Sequence, residues 1–168
     1  MEFRKTEKED IPGIMRIICQ AQEYMKEQGI DQWQDGYPNE AVFEEDIVRG
    51  YSYVMEEGGK IIGTMAVIFD GEPSYDKIYD GAWKTVKEPY AAIHRVAVDG
   101  AQKGRGIAGV MLSEVEKMCR VRGVRSMKND THRDNRSMQR MLEKNGFGYC
   151  GKIFLEDGAE RIAFEKLV

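Results

Sequence analysis

The sequence predicts an α/β (α+β) fold: a mixed sheet flanked by helices, with parallel strands at its centre. Three observations point there. Apolar residues recur at helical spacing in some segments and in strand-length runs in others. Strand and helix patterns alternate in the middle of the chain, while hairpins lie at both ends. The length of 168 residues suits about one domain with a substantial core. No repeat or Pro-rich linker divides it, so 1–168 reads as a single domain.

The elements follow in order. Phe3-Arg4-Lys5 opens a strand. Thr6-x-x-Glu9 has capping-box spacing, and Asp10 ahead of Pro12 is a second helix start. Ile11, Ile14, Ile18, Ala21 and Met25 mark a helix that Gly29 can end. Asn39 caps a short helix carrying Phe43 and Ile47, closed by Gly50. Tyr51 to Met55 and Lys60 to Phe69 flank Gly58-Gly59 as a hairpin. Residues 70–90 hold glycines, prolines and scattered aromatics and read as a long loop, either functional or mobile. Ala91 to Val98 is a strand, and Asp99 to Gly106 a glycine-rich turn. Ala108, Met111, Leu112, Val115, Met118 and Cys119 form the stripe of a helix that stops before Gly123. Val124 to Asn129 is a strand, Asn135 to Asn145 a helix, and the rest a hairpin from Phe147 to Lys166.

Composition narrows the function classes. No apolar run approaches the roughly 18 residues of a membrane-spanning helix. The start, Met1 to Lys5, lacks the order of a signal peptide. Cys19, Cys119 and Cys150 are odd in number and widely spaced, which argues against a disulfide framework and a zinc ribbon. A reduced, cytoplasmic protein without a metal is expected. The net charge of −4 is uneven: residues 1–98 carry 11 Lys/Arg against 19 Asp/Glu, and residues 99–152 carry 12 against 6. A basic block in an acidic chain suits an anionic ligand at one site, or is a solvated face. Nucleic-acid binding lacks its stripe of interleaved aromatics and arginines.

Lys103-Gly104-Arg105-Gly106-Ile107-Ala108-Gly109 is the most informative stretch. Glycines let a backbone approach a ligand, and a helix starting beside them adds partial positive charge, so phosphate is favoured there. Gly104, Gly106 and Gly109 also match G-x-G-x-x-G, with Asp130 about 20 residues on. A dinucleotide fold is nonetheless rejected: five residues separate Val98 from the first glycine, and only 38 follow Asp130. A nucleotide P-loop fails for want of Gly-Lys-Ser/Thr.

With Val96-Ala97-Val98 ahead of this turn, the chain resembles the GNAT superfamily of acyl-CoA-dependent N-acetyltransferases. A second stretch, Asn135 through Leu142-Glu143-Lys144-Asn145-Gly146-Phe147, is similar to that superfamily's Asn and Tyr-Glu-Lys-x-Gly-Phe signature. Two positions depart: Lys103 stands where glutamine or arginine is usual, and Leu142 where the tyrosine is. The resemblance implies a mostly antiparallel sheet whose central parallel pair splays. It implies acetyl-CoA as donor, with its pyrophosphate on the amides of residues 104–108 (Gly104, Arg105, Gly106, Ile107, Ala108) beside Lys103. Val96 and Val98 would pair with the pantetheine arm and supply the oxyanion donor. Asn135 would bond the cofactor, and Lys144 would approach its 3′-phosphate or stay solvated. The broken alternation of Ile93, Val96 and Val98 independently suggests a β-bulge near Arg95.

Acetyl transfer to an amine needs a proton acceptor, an oxyanion donor and a proton for the leaving thiolate. His94 and His132 are the two histidines and the candidates for proton transfer; each also reads as a structural histidine. Cys150 reads as a buried thiol more readily than as an acyl carrier. Trp33 and Tyr37 are candidates for the acceptor side, with Tyr75, Tyr79 and Trp83 behind them. The expected acceptor is a small-molecule or peptide amine, with no nucleic-acid or membrane partner, and a homodimer is compatible with it. A non-catalytic acyl-CoA sensor on the same fold is the alternative.

Overall fold

The structure, a computed structural model, describes residues 1–168. It holds seven strands, β1 (Glu2–Lys5), β2 (Ser52–Glu57), β3 (Lys60–Ile68), β4 (Ala91–Val98), β5 (Ser126–Thr131), β6 (Gly148–Phe154) and β7 (Glu160–Leu167). Four helices accompany them: α1 (Ile11–Glu27), α2 (Glu40–Arg49), α3 (Ile107–Arg122) and α4 (Arg136–Lys144). The strand order is β1-β2-β3-β4-β5-β7-β6. β4 and β5 are parallel, and β1-β2, β2-β3, β5-β7 and β6-β7 are antiparallel. This is the mixed, mostly antiparallel sheet that the sequence predicts. No helix is long and apolar enough to cross a membrane.

The chain divides into two compact units, each made of two segments. The first comprises Met1–Val67 and Arg95–Met111. Its centre is α1, whose Ile11, Ile14, Ile17 and Ile18 are buried with Phe43, Val54, Ile61 and Ala97. α2 is delimited by local chemistry: Asn39 accepts the Val42 N–H, and Gly50 closes the helix at φ +73°. The capping box lies on the single 3-10 turn Lys8–Asp10 ahead of α1 and is formed by Glu7 and Asp10, not Thr6 and Glu9. The Thr6 hydroxyl is taken by Ser52 at 2.7 Å, so it has no role at the helix start.

The second unit comprises Ile68–His94 and Leu112–Val168. Its parallel ladder pairs Ala91 with Met127 and Ala92 with Lys128, then stops. The 70–90 segment is not a free loop. Tyr79 exchanges two 2.8 Å backbone bonds with Lys152 on β6, and the Ala82 N–H donates to Cys150 O. The Lys84 N–H and the Thr85 hydroxyl both donate to the buried carboxylate of Glu165, and Trp83 Nε1 donates to Tyr75 O. These anchors account for a stretch of this length inside a compact unit.

Candidate active site

In the first unit β4 leads directly into the glycine turn. Gly104 and Gly106 take φ +85° and +70°, conformations that a side chain disfavours, and the space where a Cβ would stand is empty. Lys103, Gly104, Arg105 and Gly106 are exposed, while Ile107 is buried and starts α3. The Arg105 N–H donates to Gln102 O at 3.2 Å, but the first amides of α3 have no intrahelical acceptor, so they can meet an anion together with the Gly104 and Gly106 amides. The Arg105 guanidinium does not point its charge freely outward. It forms a bidentate pair with Glu57, at 2.8 and 3.1 Å, and a short bond to Gln102. Lys103 is the cation beside the turn whose side chain has no such partner.

A buried network fixes the turn's approach. Asp99, directly after β4, accepts from Arg16 at 3.1 Å, from Gln20 at 3.4 Å and from the Ala101 N–H at 3.1 Å, with Lys60 at 3.2 Å. Burial alone would raise its pKa, but Ala101, Lys60, Arg16 and Gln20 together hold it at about 2.

Within β4, Arg95 adopts φ +52°, the left-handed region. This interrupts the pleat where the broken alternation predicts an irregularity. The conformation is costly for a residue with a Cβ and is held by its side chain. Nε and Nη2 bind both oxygens of buried Asp46 at 2.8 Å, and Nη1 donates to Tyr37 Oη at 2.9 Å. Tyr37 is thus tied to Arg95 of β4, the strand that also carries half-buried Val96 and Val98. Trp33, at φ +62°, packs against the α1 core and serves that interior.

In the second unit His94 is enclosed. Nε2 lies 3.3 Å from Glu72 Oε2, out of hydrogen-bond alignment, and Nδ1 lies 3.9 Å from Asp130 Oδ2. The imidazole holds the Glu72 carboxyl below its ordinary range, against the opposing effect of burial. Tyr75, buried 5.9 Å from the imidazole ring, donates its hydroxyl to Asp130 at 2.6 Å, and burial pushes its pKa up. His132 is occupied otherwise. Its Nδ1 accepts the Asp134 N–H at 3.0 Å and its carbonyl accepts the Asn135 N–H, so it shapes the turn into α4. Asn135 caps α4 through the Met138 N–H, and Lys144 is exposed at that helix's end. Leu142 is fully buried, a core residue where the resemblance expects a tyrosine. Cys150 is buried too, and burial raises its thiol pKa. No group of three or more His, Cys, Asp or Glu side chains is placed to hold a metal ion.

The Acetyltransferase (GNAT) family model matches residues 18–147. The chain belongs to the GNAT acetyltransferase family. A GNAT acetyltransferase from Streptococcus agalactiae 2603 is 36% identical, with a TM-score of 0.89 over 99% of this chain and 95% of that one. A PaiA N-acetyltransferase from Thermoplasma acidophilum, in complex with coenzyme A, shares the fold at 17% identity and a TM-score of 0.72, over 99% and 98% of the two chains. A ribosomal-protein-alanine N-acetyltransferase from Brucella melitensis does so at 17% and 0.69, over 100% of both. No curated protein matches the chain.

For this GNAT chain, sequence reasoning named the turn and His94 as candidates but not the groups that surround His94. Glu72, Tyr75 and Asp130 carry no local pattern, and Tyr75 and Asp130 are 55 residues apart. Tyr75 was visible only as an aromatic in the loop. The Arg95–Asp46 pair, 49 residues apart, left one trace, the alternation break at Arg95.

Proposed function

We propose that the protein is an N-acetyltransferase that moves an acetyl group from acetyl-CoA directly to a primary amine. The observation that carries this reading is His94, a half-enclosed imidazole between Glu72 and Asp130 on the family's cofactor strand. In the proposal the amides of residues 104–108 take the pyrophosphate, with Lys103 beside them. Val96 and Val98 offer backbone groups to the pantetheine arm, and a Val96-region N–H stabilises the carbonyl oxygen as negative charge develops. Asn135 and Lys144 flank the cofactor's distal end. His94 accepts the proton that the ammonium must lose, and Glu72 and Asp130 stabilise the imidazolium. The nitrogen–carbon bond forms, the nitrogen gives its second proton to solvent, the carbon–sulfur bond breaks, and the thiolate leaves and takes a proton from solvent. That last step asks nothing of Leu142 or His132. Tyr37, held by Arg95, lines the acceptor side, and the free cysteines suit a cytoplasmic setting.

Buried Leu142 favours one second reading, an acyl-CoA sensor without turnover. CoA release from acetyl-CoA across a panel of primary amines separates the two. Turnover above hydrolysis on any amine supports the enzyme, whereas CoA binding with no turnover across the panel supports the sensor. His94→Gln should lower kcat by roughly 100-fold or more with CoA affinity kept, and His132→Ala by far less. A large kcat loss in His132→Ala alone would move the proton transfer to His132.

A further inference from the structure

Two buried side-chain atoms have no hydrogen-bond partner, His94 Nε2 and Asn129 Oδ1. The first belongs to the proton-transfer site. The second has no part in it. Asn129 lies in the middle of β5, 2% exposed, one step beyond the last ladder pair of β4 and β5. Its Nδ2 donates to Ile93 O at 2.7 Å. A carbonyl oxygen can only accept, so the amide nitrogen must face Ile93 and Oδ1 must face away. The flipped amide would set two acceptors against each other. A side-chain donor has therefore replaced the backbone donor that would have continued the ladder, and the exchange leaves a buried acceptor empty.

Folded chains keep few such atoms, because a buried acceptor without a donor is penalised by its lost hydration. This face of β5 carries an apolar side chain as well as polar ones. Met127, two residues earlier on the same side of the strand, is fully buried and apolar.

We propose that Asn129 Oδ1 is a ligand-binding acceptor, which receives a proton-bearing N or O group of a bound reactant where the β4–β5 ladder ends. The inference rests on the acetyl-CoA reading above and extends it by one residue and one kind of contact. Thioester and phosphate oxygens carry no proton and cannot fill this role. Apart from the adenine amino group and ribose hydroxyl, which adenosine 3′,5′-bisphosphate shares, the candidate donors are the amide N–H and hydroxyl groups of the pantetheine arm and the N–H groups of the acceptor amine.

The test measures binding of CoA and of adenosine 3′,5′-bisphosphate, which lacks the arm, together with the amine KM. Asn129→Leu should lose about five- to tenfold in CoA affinity, the effect of one hydrogen bond, and keep bisphosphate affinity within about twofold. Should the donor belong to the amine, CoA affinity is kept and the amine KM rises by that factor. Asn129→Asp, which in its protonated form can still donate to Ile93 O and present an acceptor, should restore most of the loss at mildly acidic pH. If Asn129→Leu does not fold, Asn129→Ala leaves room for water at Ile93 O and is read the same way. Unchanged CoA affinity and amine KM, or an equal loss for CoA and bisphosphate, would overturn the proposal. Wild-type protein that bound no CoA would instead overturn the acetyl-CoA reading itself.

Discussion

In the first unit the interior is aliphatic, with four isoleucines of α1 against Phe43 and Val54, and its buried carboxylates, Asp46 and Asp99, are each met by an arginine. In the second unit buried charge is met by neutral donors and rings. Glu165 is fully buried and accepts from Lys84 N, Thr85 Oγ1 and Ser126 Oγ at 2.5–2.6 Å. Lys128, 4% exposed, lies 4.4 Å from the Trp83 ring and 4.3 Å from the Tyr90 ring. The difference shows two ways to build a site. Where non-directional packing fixes the frame, a turn can stay open, with the Lys103 and Arg105 N–H groups used inside it and those of Gly104 and Gly106 left over. Where polar groups are buried, most must find a partner, and those of Glu165 tie Lys84 and Thr85 of the 70–90 segment to β7.

The sharpest way to break this contrast is Glu165→Leu, which fills the space but leaves three donors without an acceptor. It should cost about 4 kcal/mol in urea unfolding. A loss under about 1 kcal/mol would mean that the 70–90 segment is held by its other anchors and that the buried network is incidental.

Glycines in the two units should fail differently. A Cβ on Gly81 would stand 1.9 Å from Cys150 O, so Gly81→Ala must push the segment off β6, at about 3 kcal/mol of stability. Gly106 has open space but φ +70°, so Gly106→Ala should cost only about 1 kcal/mol. Its larger consequence should be weakened CoA binding, measured by calorimetry. Gly106→Asp, which adds negative charge where phosphate is proposed, should weaken it further. CoA affinity unchanged in both Gly106 variants would remove the turn from the site.

These pairs also show where sequence is informative. Gly106 and the α1 stripe are legible because the controlling interactions are local: a helix period, a cap, a turn. Asn39 and Gly50 delimit α2 for the same reason. β5 begins at Ser126 rather than Val124 because the Val124 N–H is used by Cys119 O at the end of α3. The role of Gly81 is invisible in sequence, since what it avoids is a carbonyl about 70 residues away, and Thr85 meets Glu165 across 80 residues. His94 was a candidate by residue type, but its carboxylate neighbours come from the 70–90 segment and β5, which no period relates.

Acid should test the first unit. The folded Asp99 carboxyl titrates at about 2, below its value near 3.9 in an unfolded chain. Its ionised form therefore favours folding above about pH 4, and that stability is lost as pH falls toward 2. Asp99→Asn should be less stable than wild type by about 1–2 kcal/mol at pH 7, and the gap should close by about pH 2. A gap that stays constant across this range would mean that the network acts through shape, not charge.

The smallest effect should come from Lys128, and its sign carries the information. Burial lowers the Lys128 pKa from its ordinary 10.5, so the folded state releases its proton at lower pH than the unfolded chain does. Stability from this residue thus rises with pH through the alkaline range, and at pH 7 the cost of burying the ammonium is fully present. The rings of Trp83 and Tyr90 offset that cost by cation–π attraction, about 1–2 kcal/mol when desolvated. Lys128→Met keeps the length and the packing against both rings while removing charge and attraction together. The lowered pKa means that burial outweighs the favourable field of Glu165, Cys150 and Glu88 on the ammonium, and the rings are taken not to reverse that balance. The variant should therefore be more stable than wild type by up to about 1 kcal/mol at pH 7, with the gain shrinking toward pH 11. Thermal unfolding at both pH values measures it. A variant less stable than wild type at pH 7 would mean that the aromatic pair outweighs desolvation, and that the second unit gains stability from its buried cation.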